Sequence, residues 1–502
     1  MIVLKNAHVI DPASGIDEVS DVTIIDGKIA TVGKNIVPAP GAEVIDLSGQ
    51  YLSPGWIDIH VHAYGTLGFG DPDSIGIHQG VTSFIDAGGT GIKTLDECMA
   101  LSQDRLTTSL YAGPHIFPMG IVGLDYVDTE DDVQGIVDTG IEPWLQWAES
   151  HPGLLRFVKV GAYSPQGPRP IDIAKGVANK LGLPLYLHIG ENHVWPEFKS
   201  PFEYAFSVMQ KGDIVTHMYH GANDNILDDD GQILPFVREA RERGVLFDIG
   251  FGSYGFSWNV AEKALAQGLK PDFISSDLQQ FNVLNPTFSL ANVMSICLGL
   301  GLSRHEVIAA VTATPADKLN LSDRAGSLRP GMPADITVFK LETGKFELGD
   351  GFMRKRTVDT RFVPTIAFKR GKRVECDLQL AQDESNWFMQ VSEVAAPQAA
   401  DRLTAQQIAF LESFGAALVS LQWEVSAPQT LSLTTAMRLQ DTLNEVRQRH
   451  ALSLRDALHA VYDCFLENRF PMQMGLFLVR LERPFVLSRL QEVTSRQLAR
   501  VA

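Results

Sequence analysis

Eight strand-like runs that alternate with helical patterns between residues 54 and 327 constrain the fold of this chain more than any other feature. Residues 235–244 are one such helical pattern, and its final glycine is typical of a helix end. Eight strand–helix units over roughly 250 residues predict a (β/α)8 TIM barrel, an α/β fold. An open doubly wound sheet is the alternative, but no Gly-x-Gly-x-x-Gly follows the first strand. The runs lie at residues 54–62, 82–86, 110–113, 157–160, 185–188, 214–217, 245–248 and 273–276.

Both flanks of the predicted barrel have the pattern of β-structure. Short strand-like runs and a favoured Asp-Gly hairpin turn fill residues 1–53, which are too few to close a core alone. Similar runs and a second turn lie in residues 328–377. We therefore predict one small β-sandwich domain built from residues 1–53 and 328–377, with the barrel, residues 54–327, inserted between its two halves.

The end of the chain differs from the rest in composition and in pattern. The last lysine is Lys372, and apolar residues then recur at helical spacing, first after the capping-box pattern of residues 404–407. We predict a linker over residues 378–400 and a helical bundle over residues 401–502. Such apolar stripes usually form a core, and the alternatives are docking on the barrel or a contact in a homo-oligomer.

Charge and cysteine content narrow the partners and the compartment. The formal net charge is −18 at pH 7, which argues against a nucleic-acid or anionic-membrane partner and leaves a small-molecule substrate as the expected one. The four cysteines lie far apart and suggest no disulfide framework, so we expect a reducing, cytoplasmic location. No signal peptide is visible, and no apolar run reaches the ~18 residues that a membrane span needs.

Metal-ligating residue types stand at the carboxyl ends of the predicted strands. His60 and His62 end the first strand two residues apart, so their side chains point to the same face. Imidazole suits Zn, Fe and Ni, and the carboxyl ends of barrel strands form the active-site face. Any one of these residues could stand at a strand end by chance. It is not plausible that all of them do. The candidate ligands are His60, His62, Lys159, His188, His217 and Asp277.

Lys159 lies between Val158 and Val160 in the fourth strand, where a buried ammonium is costly unless it is paired or neutralised. Burial lowers the pKa of a lysine and leaves a nucleophilic neutral amine. Such an amine can add carbon dioxide to give a carbamate, an anion whose two oxygens can bridge two metal ions. The alternative is an amine that pairs with a nearby acid. We favour the carbamate because metal-ligand types end the neighbouring strands.

These motifs resemble the amidohydrolase superfamily, and specifically its dinuclear, dihydroorotase-like branch, which includes the amidohydrolase/deacetylase group. The resemblance covers residues 1 to about 377 and leaves the C-terminal helical region outside it. The motifs that carry it lie at residues 54–62, 80–88, 158–159, 187–190, 216–217, 276–278 and 325–335.

The resemblance implies a role for each candidate metal ligand. His60 and His62 would hold the more buried of two divalent metal ions, with Zn as the expected metal. His188 and His217 would hold the more exposed ion. Lys159, carrying the carbon dioxide-derived carbamate, would bridge the two.

The same resemblance implies hydrolysis. Two divalent ions lower the pKa of a bridging water and give a hydroxide nucleophile, while Asp277, which also ligates the buried ion, would act as the catalytic acid and base. We expect a metal-dependent hydrolase that cleaves a non-peptide amide bond or an ester bond of a small acylated amino or hydroxy acid, as a deacetylase does. The alternatives are a cyclic amidase of dihydroorotase or dihydropyrimidinase type, a mononuclear deaminase, and a scaffold without turnover that acts through the C-terminal helices.

Several residues on the same face are candidates for substrate contacts. Arg169 and Tyr163 follow Lys159 in a loop rich in glycine and proline, and an arginine there could grip a carboxylate with two hydrogen bonds. The alternative for Arg169 is a plain surface role. His193 and His220 follow the fifth and sixth strands, and for each the alternative is an ordinary loop histidine.

Two positions depart from the pattern of the deacetylase-like group. Phe251 stands where that group usually has the histidine of Gly-His-Gly, and Gln279 replaces the histidine of Ser-Asp-Leu-His. Both lie near the substrate rather than among the metal ligands, so we expect an intact metal site and a more apolar substrate wall. His115, near the end of the third strand, is a further candidate for the mouth of the barrel.

Overall fold

A computed structural model of the protein describes residues 1–64, 67–69, 71–104, 106–121, 129–191, 198–280, 282–352, 354–384, 391–392, 395–421, 423, 433–466, 474–479 and 481–501. The strands are β1 (Ile2–Asp11), β2 (Ile16–Ile25), β3 (Lys28–Gly33), β4 (Glu43–Asp46), β5 (Tyr51–Pro54), β6 (Trp56–Val61), β7 (Val81–Gly91), β8 (Ser109–His115), β9 (Val158–Gly161), β10 (Leu185–His188), β11 (Ile214–Thr216), β12 (Leu246–Phe247), β13 (Ile336–Gly349), β14 (Lys355–Lys369) and β15 (Lys372–Glu375). The α-helices are α1 (Leu95–Asp104), α2 (Thr129–Thr139), α3 (Glu142–Ser150), α4 (Arg169–Leu181), α5 (Phe202–Val208), α6 (Pro235–Arg243), α7 (Trp258–Ala266), α8 (Leu290–Gly299), α9 (Arg304–Ala310), α10 (Ala313–Lys318), α11 (Leu380–Glu384), α12 (Ala405–Val419), α13 (Leu433–Arg449), α14 (Leu454–Asp463), α15 (Met474–Leu478) and α16 (Arg483–Val501).

The strands β6 to β12 form a parallel sheet in which spatial order follows chain order. Helices lie between most consecutive strands, as a barrel of strand–helix units requires. β6 and β7 are buried along their whole length, which is typical of parallel strands covered on both faces. Continuous burial explains why these runs are apolar throughout and do not alternate.

Residues 273–278 occupy the eighth position of the barrel, although they are too irregular to be a strand. The Gly252 N–H donates to Ser276 O at 3.0 Å on one side, and the Asp277 N–H donates to His60 O at 2.7 Å on the other. This segment, called the eighth segment below, therefore joins β12 to β6. The prediction of an α/β core of TIM-barrel type is confirmed.

The helix α6 shows how local sequence sets the ends of the barrel helices. It spans Pro235–Arg243, and a proline occupies its first turn, where the missing N–H has no helical partner to lose. Gly244 follows in the left-handed conformation (φ 90°), and its N–H bonds back to the last turn. The helix predicted at residues 235–244 is thus observed.

A second sheet takes strands from both flanks of the barrel. In the described residues it has eight strands, with β1–β5 from before the barrel and β13–β15 from after it. The two sets meet where β5 pairs antiparallel with β13, with Leu52 opposite Val338. The two flanks thus pair in one sheet, while the two-layer sandwich form and the domain boundaries near residues 53 and 328 stay predictions.

A buried ion pair fixes this second sheet on the barrel. Lys369 Nζ lies 2.6 Å from Asp335 Oδ2 and donates to the carbonyl of Thr82, in β7, at 2.8 Å. Both charged side chains are buried. Loss of one partner would leave the other charge buried and unpaired, at a cost of about 3–5 kcal/mol. The pair therefore ties the two sheets together.

Helices fill the described residues of the C-terminal region. α12 to α16 share one apolar cluster, which includes Phe414, Leu443 and Phe465. α12 begins with the predicted capping box, in which the side chains of Thr404 and Gln407 each accept from the other's backbone N–H. The short helix α11 lies within the predicted linker. Within the described parts of the chain, none of the helices combines the length and the hydrophobicity that crossing a membrane requires.

The C-terminal helices meet the barrel on the face where its strands end. Leu67, in the loop after β6, and Tyr254, after β12, both belong to the apolar cluster of the C-terminal helices. Both side chains are buried there. The helical region therefore packs against the carboxyl-end face of the barrel.

Candidate metal centre

His60, His62 and Asp277 form a compact group at the ends of β6 and of the eighth segment. Their candidate ligand atoms all lie within 4.8 Å of one another. Asp277 Oδ1 is 3.3 Å from His60 Nε2 and 3.1 Å from His62 Nε2, and all three side chains are buried. Two imidazole nitrogens and a carboxylate oxygen are a donor set that suits Zn. This group, the inner site, therefore fits one divalent ion.

His188 and His217 form a second group, the outer site, beside the first. Their rings meet edge to face with centroids 4.3 Å apart, and the His217 ring lies 5.2 Å from that of His60. The two residues end or follow the neighbouring strands β10 and β11. Within the described residues, no carboxylate joins this pair in a close group of three ligands. The outer site thus has fewer ligands than the inner one.

Lys159 extends from β9 to the inner site. Its Nζ lies 2.7 Å from His60 Nε2 and donates to the carbonyl of Ala87 at 2.7 Å. Burial lowers the pKa of Lys159 to about 8, and the nearby carboxylates of Asp277 and Asp86 limit that shift. Part of the amine is therefore neutral near neutral pH, which is the state that adds carbon dioxide.

Hydrogen bonds fix the tautomer of His60. Its Nδ1 lies 3.0 Å from the Tyr186 hydroxyl and 3.1 Å from Thr216 Oγ1. Both hydroxyls donate their own protons to Asp248 Oδ2, at 2.6 and 2.7 Å. Their oxygens can therefore only accept from His60, so Nδ1 carries the proton and Nε2 presents its lone pair to the inner site.

Two buried carboxylates lie below the ligands. Asp248 Oδ2 also accepts from Ser275 Oγ at 2.7 Å, and Asp58 accepts from the backbone N–H groups of His60 and Ser276. Burial raises the pKa of Asp248 to about 6 and that of Asp58 to about 7, although these hydrogen bonds oppose the shift. Asp248 thus positions the side chain of His60 through Tyr186 and Thr216, and Asp58 positions its backbone.

Glycines let the chain after β12 approach the metal ligands closely. His217 Nδ1 donates to Gly250 O at 2.5 Å, which leaves Nε2 for a metal. A Cβ on Gly252 would lie 2.2 Å from Asp277 Oδ2, and one on Gly255 would lie 2.4 Å from His217 Nδ1. A Cβ on Gly255 would also lie 2.3 Å from the backbone oxygen of Gly250. No side chain fits at either position unless a ligand or the backbone moves, so both positions require glycine.

Burial and neighbouring basic groups set the charge states of His60, His188, His217 and Asp277. Burial lowers the pKa of His60 and of His188 well below the ordinary value, and that of His217 to about 4. Burial opposes ionisation of Asp277, but the hydrogen bond and charge of His62, together with other basic groups nearby, lower the pKa of Asp277 overall. Neutral imidazoles and an ionised carboxylate are the states that bind a divalent cation. The residues therefore fit the metal chemistry that the resemblance implies.

Two of the ligands have unusual backbone conformations. His217 has φ 64° and Asp277 has φ 49°, in the left-handed region that few non-glycine residues adopt. Such conformations cost about 1–3 kcal/mol each and cluster at functional sites. Asn282 Nδ2 donates to the carbonyl of Asp277 at 2.7 Å and holds that turn. The backbone therefore supports a functional role for both residues.

Three of the predicted substrate residues lie beside the ligands. Gln279 Nε2 donates to Asp277 Oδ1 at 3.1 Å, and the Tyr163 ring lies 5.3 Å from that of His188. His220 is buried, its Nδ1 accepts from a backbone N–H at 2.9 Å, and burial lowers its pKa to about 3. The structure brings these residues to the metal centre, and their contacts with substrate stay predictions.

For Arg169 and Phe251, no contact of the side chain with a metal ligand is found among the described residues. Arg169 is the exposed first residue of α4. Phe251 is fully buried, with its ring stacked on Phe256 at 4.9 Å, and its contact with substrate stays a prediction. Its N–H donates to Ser275 O at 3.1 Å, which keeps it in the barrel wall. His193 lies outside the described residues.

The polar layer around His60 was not predicted from the sequence. Tyr186 stands two residues before His188, on the same face of β10 and one level deeper in the barrel. Asp248 ends the apolar run of residues 245–248. A polar residue at an inward position of an apolar strand is the signal that could have identified both.

A cavity of about 510 Å³ opens beside the loops that follow β9, β10 and β11. Its described lining has three carboxylates, Glu191, Asp224 and Asp229, and no lysine or arginine. The Glu191 carboxylate is held by Ser164 through its N–H and its hydroxyl. Such a cavity suits a neutral or cationic group better than an anionic one.

Comparisons with known proteins agree with the barrel fold. The model of the amidohydrolase family matches residues 257–374. A deacetylase of Agrobacterium fabrum is 30% identical over 72% of this chain and 89% of that protein. A solved adenine deaminase has a TM-score of 0.67 at 29% identity, over 74% of this chain and 99% of that one. A solved dihydroorotase has a TM-score of 0.66 at 28% identity, over 75% and 98%.

Proposed function

Because the chain belongs to the amidohydrolase superfamily, we propose that it is a dinuclear metal-dependent hydrolase that removes the acyl group from a small acylated amino or hydroxy acid. The general class, a hydrolase acting on carbon–nitrogen bonds, follows from the family. The deacetylase of Agrobacterium fabrum supports an acyl group as the part released. An ester of the same acyl group is the second bond type that such a site could cleave.

The observation that carries this proposal is the meeting of the inner and outer sites at Lys159. Its Nζ is 2.7 Å from His60 Nε2, and the ring of His60 is 5.2 Å from the ring of His217 in the outer site. An anionic group built on Lys159 therefore starts within reach of both sites. This is the arrangement that a bridging carbamate needs.

Each residue of the two sites, and Lys159, would then bind metal. The three inner-site residues would hold one divalent ion and the two outer-site histidines the other, with Lys159, as the carbamate, shared between them. Zn is the expected metal because imidazole and carboxylate donors suit it. Bound there, the ions would polarise the scissile carbonyl and lower the pKa of a water at the site.

Asp277 is the residue that we assign to proton transfer. Its carboxylate lies against both inner histidines, in the ionised state that can accept a proton from the attacking water and return it to the leaving nitrogen or oxygen. Gln279 Nε2 donates to Asp277 Oδ1 at 3.1 Å and so orients the carboxylate. Burial of the ligands keeps bulk water away and strengthens each of these contacts.

The charges around the mouth suggest how a substrate would lie. Arg169, exposed at the start of α4, the helix that follows β9, is the cation that we assign to a substrate carboxylate. The acidic cavity beside Glu191 would take the neutral or cationic end. An acyl amino acid with a polar or basic side chain therefore suits Arg169 and the acidic cavity better than one with an acidic side chain.

A second candidate is a cyclic amidase of dihydroorotase or dihydropyrimidinase type. The similarity to the solved dihydroorotase favours it. A cyclic amide carbonyl would be polarised in the same way as an acyclic one, so the metal ligands do not separate the two candidates. The products do separate them, because ring opening releases no second molecule.

Metal content and a substrate panel test the proposal. We would measure metals per chain by mass spectrometry in wild type and in Lys159→Ala, and assay N-acyl amino acids, O-acyl hydroxy acids, dihydroorotate, hydantoins and adenine. About two ions in wild type, with acyl compounds preferred, supports the proposal. Preferred ring opening would establish the cyclic amidase instead. One ion in both proteins, with turnover of adenine, would establish a mononuclear deaminase.

A further inference from the structure

His115 is a buried polar side chain that the proposed function does not use. It is the last residue of β8 and is 0% exposed. Its Nδ1 accepts a hydrogen bond from the N–H of Phe117 at 3.3 Å, so the proton of the neutral ring lies on Nε2. Among the described residues, no polar atom partners that Nε2. A buried donor without an acceptor is costly, so an acceptor absent from the bare chain is indicated.

The neighbours of His115 indicate where that acceptor lies. His115 is paired with Lys159 in the register of β8 and β9, and paired residues on parallel strands direct their side chains to the same face. A Cβ on Gly88 would lie 2.7 Å from Lys159 Cδ and 3.4 Å from His115 Cδ2, the ring carbon bonded to Nε2. The side chains of Lys159 and His115 thus pass over the same glycine.

The orientation of the His115 ring is fixed before any ligand binds. Its ring stacks on that of Phe117 with centroids 5.0 Å apart and an angle of 18°. The hydrogen bond from the Phe117 N–H holds the opposite edge. A donor that is already oriented loses little conformational entropy when its acceptor arrives.

We propose that His115 is a positioning residue whose Nε2–H donates a hydrogen bond to the carbamate on Lys159 and thereby promotes carboxylation of that lysine. This inference rests on the proposed function, because it requires the carbamate. The neutral Nζ attacks the carbon of carbon dioxide, an N–C bond forms, one C=O π pair moves onto oxygen, and a proton passes from Nζ to water. The product is an anion that can accept the hydrogen bond His115 offers.

The contacts of the unmodified lysine are compatible with this step. Lys159 Nζ already donates to the carbonyl of Ala87 and lies beside His60 Nε2. A carbamate keeps one N–H, which suffices for the bond to Ala87, and adds two oxygens as acceptors. Because hydrogen bonds to charged acceptors are stronger than those to neutral ones, one such donor can decide whether the lysine is modified at limiting carbon dioxide.

The experiment follows the carbamate itself. Full-length wild type, His115→Phe, His115→Gln and Lys159→Ala would be titrated with ¹³C-bicarbonate in the presence of Zn. The carbamate carbon would be followed by ¹³C NMR and the metal content measured on the same samples. Phenylalanine keeps the ring without a donor, whereas glutamine keeps an N–H donor. Lys159→Ala identifies the signal.

We expect His115→Phe to require roughly 10-fold or more bicarbonate for half-occupancy than wild type, and His115→Gln to stay within about 3-fold. The lost metal in His115→Phe should return at high bicarbonate. Equal half-occupancy in wild type and His115→Phe, with equal thermal midpoints, overturns this inference alone. A carbamate signal missing from wild type overturns both the carbamate of the proposed function and this inference.

A second measurement keeps His115 in place, so its result does not depend on whether the variants at residue 115 fold. In protein labelled with ¹⁵N-histidine, bicarbonate should shift one Nε2–H resonance in wild type. The same addition should shift no Nε2–H resonance in Lys159→Ala. A carboxylated wild type without such a shift also overturns the role of His115.

Discussion

The inner and outer sites use the same chemistry but differ in how completely the fold builds them. The inner site has two imidazoles and a carboxylate within 4.8 Å, and the hydroxyls of Tyr186 and Thr216 orient His60. In the outer site a backbone carbonyl orients His217, and within the described residues no carboxylate completes a close group of three. The inner site therefore has three close candidate ligands in the unmodified chain, whereas in the proposed function the outer site takes its third ligand from the carbamate on Lys159.

In the proposed function, one lysine controls how many metal ions the protein holds. An ion can enter the inner site when its histidines are neutral and Asp277 is ionised. The outer site would gain its third ligand only when Lys159 carries the proposed carbamate. Metal content should therefore respond to bicarbonate as well as to the metal concentration, and the response should belong to the outer site.

The largest effect is expected when the inner site is broken. Asp277→Asn keeps the volume of the side chain but removes a metal ligand and the group assigned to proton transfer. We expect kcat on the best substrate to fall roughly 10²–10⁴-fold and the inner ion to be bound more weakly. Asp317→Asn, at an exposed carboxylate of α10, is the matched control and should leave both unchanged. A kcat of Asp277→Asn close to that of wild type would contradict the assignment.

Lys159→Ala should separate the two sites most clearly. Loss of the shared ligand should empty the outer site and spare the inner one, so the metal content should fall from about two ions per chain to about one. Formate or acetate, which can enter the vacated space as a carboxylate, should restore the second ion. Lys180→Ala, at an exposed lysine of α4, serves as the control. Loss of both ions in Lys159→Ala would show that the inner site is not independent.

Asp248→Asn tests how the inner site is held. An amide at residue 248 can donate as well as accept, so the hydroxyls of Tyr186 and Thr216 need not both donate to it. A hydroxyl could then donate to His60 Nδ1 instead, and the proton of His60 would move to Nε2. Loss of such a supporting hydrogen bond typically lowers metal affinity by about 10–100-fold. We expect this loss at the inner site only, measured by chelator competition. An equal loss at both sites would mean that Asp248 stabilises the whole barrel instead.

Two alanine substitutions in one loop should give the smallest effects. Gly252→Ala would press on Asp277 Oδ2 and Gly255→Ala on His217 Nδ1, so the first should weaken inner binding and the second outer binding. A loss of about 10-fold is expected, at the low end of the 10–100-fold that disturbing a group beside a metal ligand typically costs. Gly268→Ala has positive φ but open space around it and controls for strain alone. The idea fails if both loop variants affect the same site.

The barrel core and the grouping of the histidines could be predicted because both follow from periodicity along the chain. Strand ends in a barrel converge, so residues such as His60 and Asp277 meet although 217 positions separate them in the numbering of the sequence. Even the irregular eighth segment was located, because its apolar run has the length of a strand. The alternation of strand and helix patterns predicts where the strands end, and no single residue type does so.

The supporting contacts could not be predicted, because they depend on side-chain direction. Tyr186 and Asp248 are 62 positions apart, and the sequence around neither residue indicates that the two form a hydrogen bond. In the same way, nothing in the sequence around Phe251 shows that its ring stacks on Phe256. The docking of the C-terminal helices against Tyr254 was likewise one alternative among three for an apolar stripe.

The pairing of β5 with β13 has a consequence for the synthesis of the protein. The contact between the Trp56 N–H, just after β5, and Thr337, in β13, spans 281 positions. At about 5–20 residues per second, a ribosome needs roughly 15–60 seconds to deliver the second partner after the first. Throughout that interval β5 has an open edge, which is a template for pairing with the wrong strand. The yield of folded protein should therefore depend on translation speed between the two halves of this sheet, and on chaperones that cover the waiting edge.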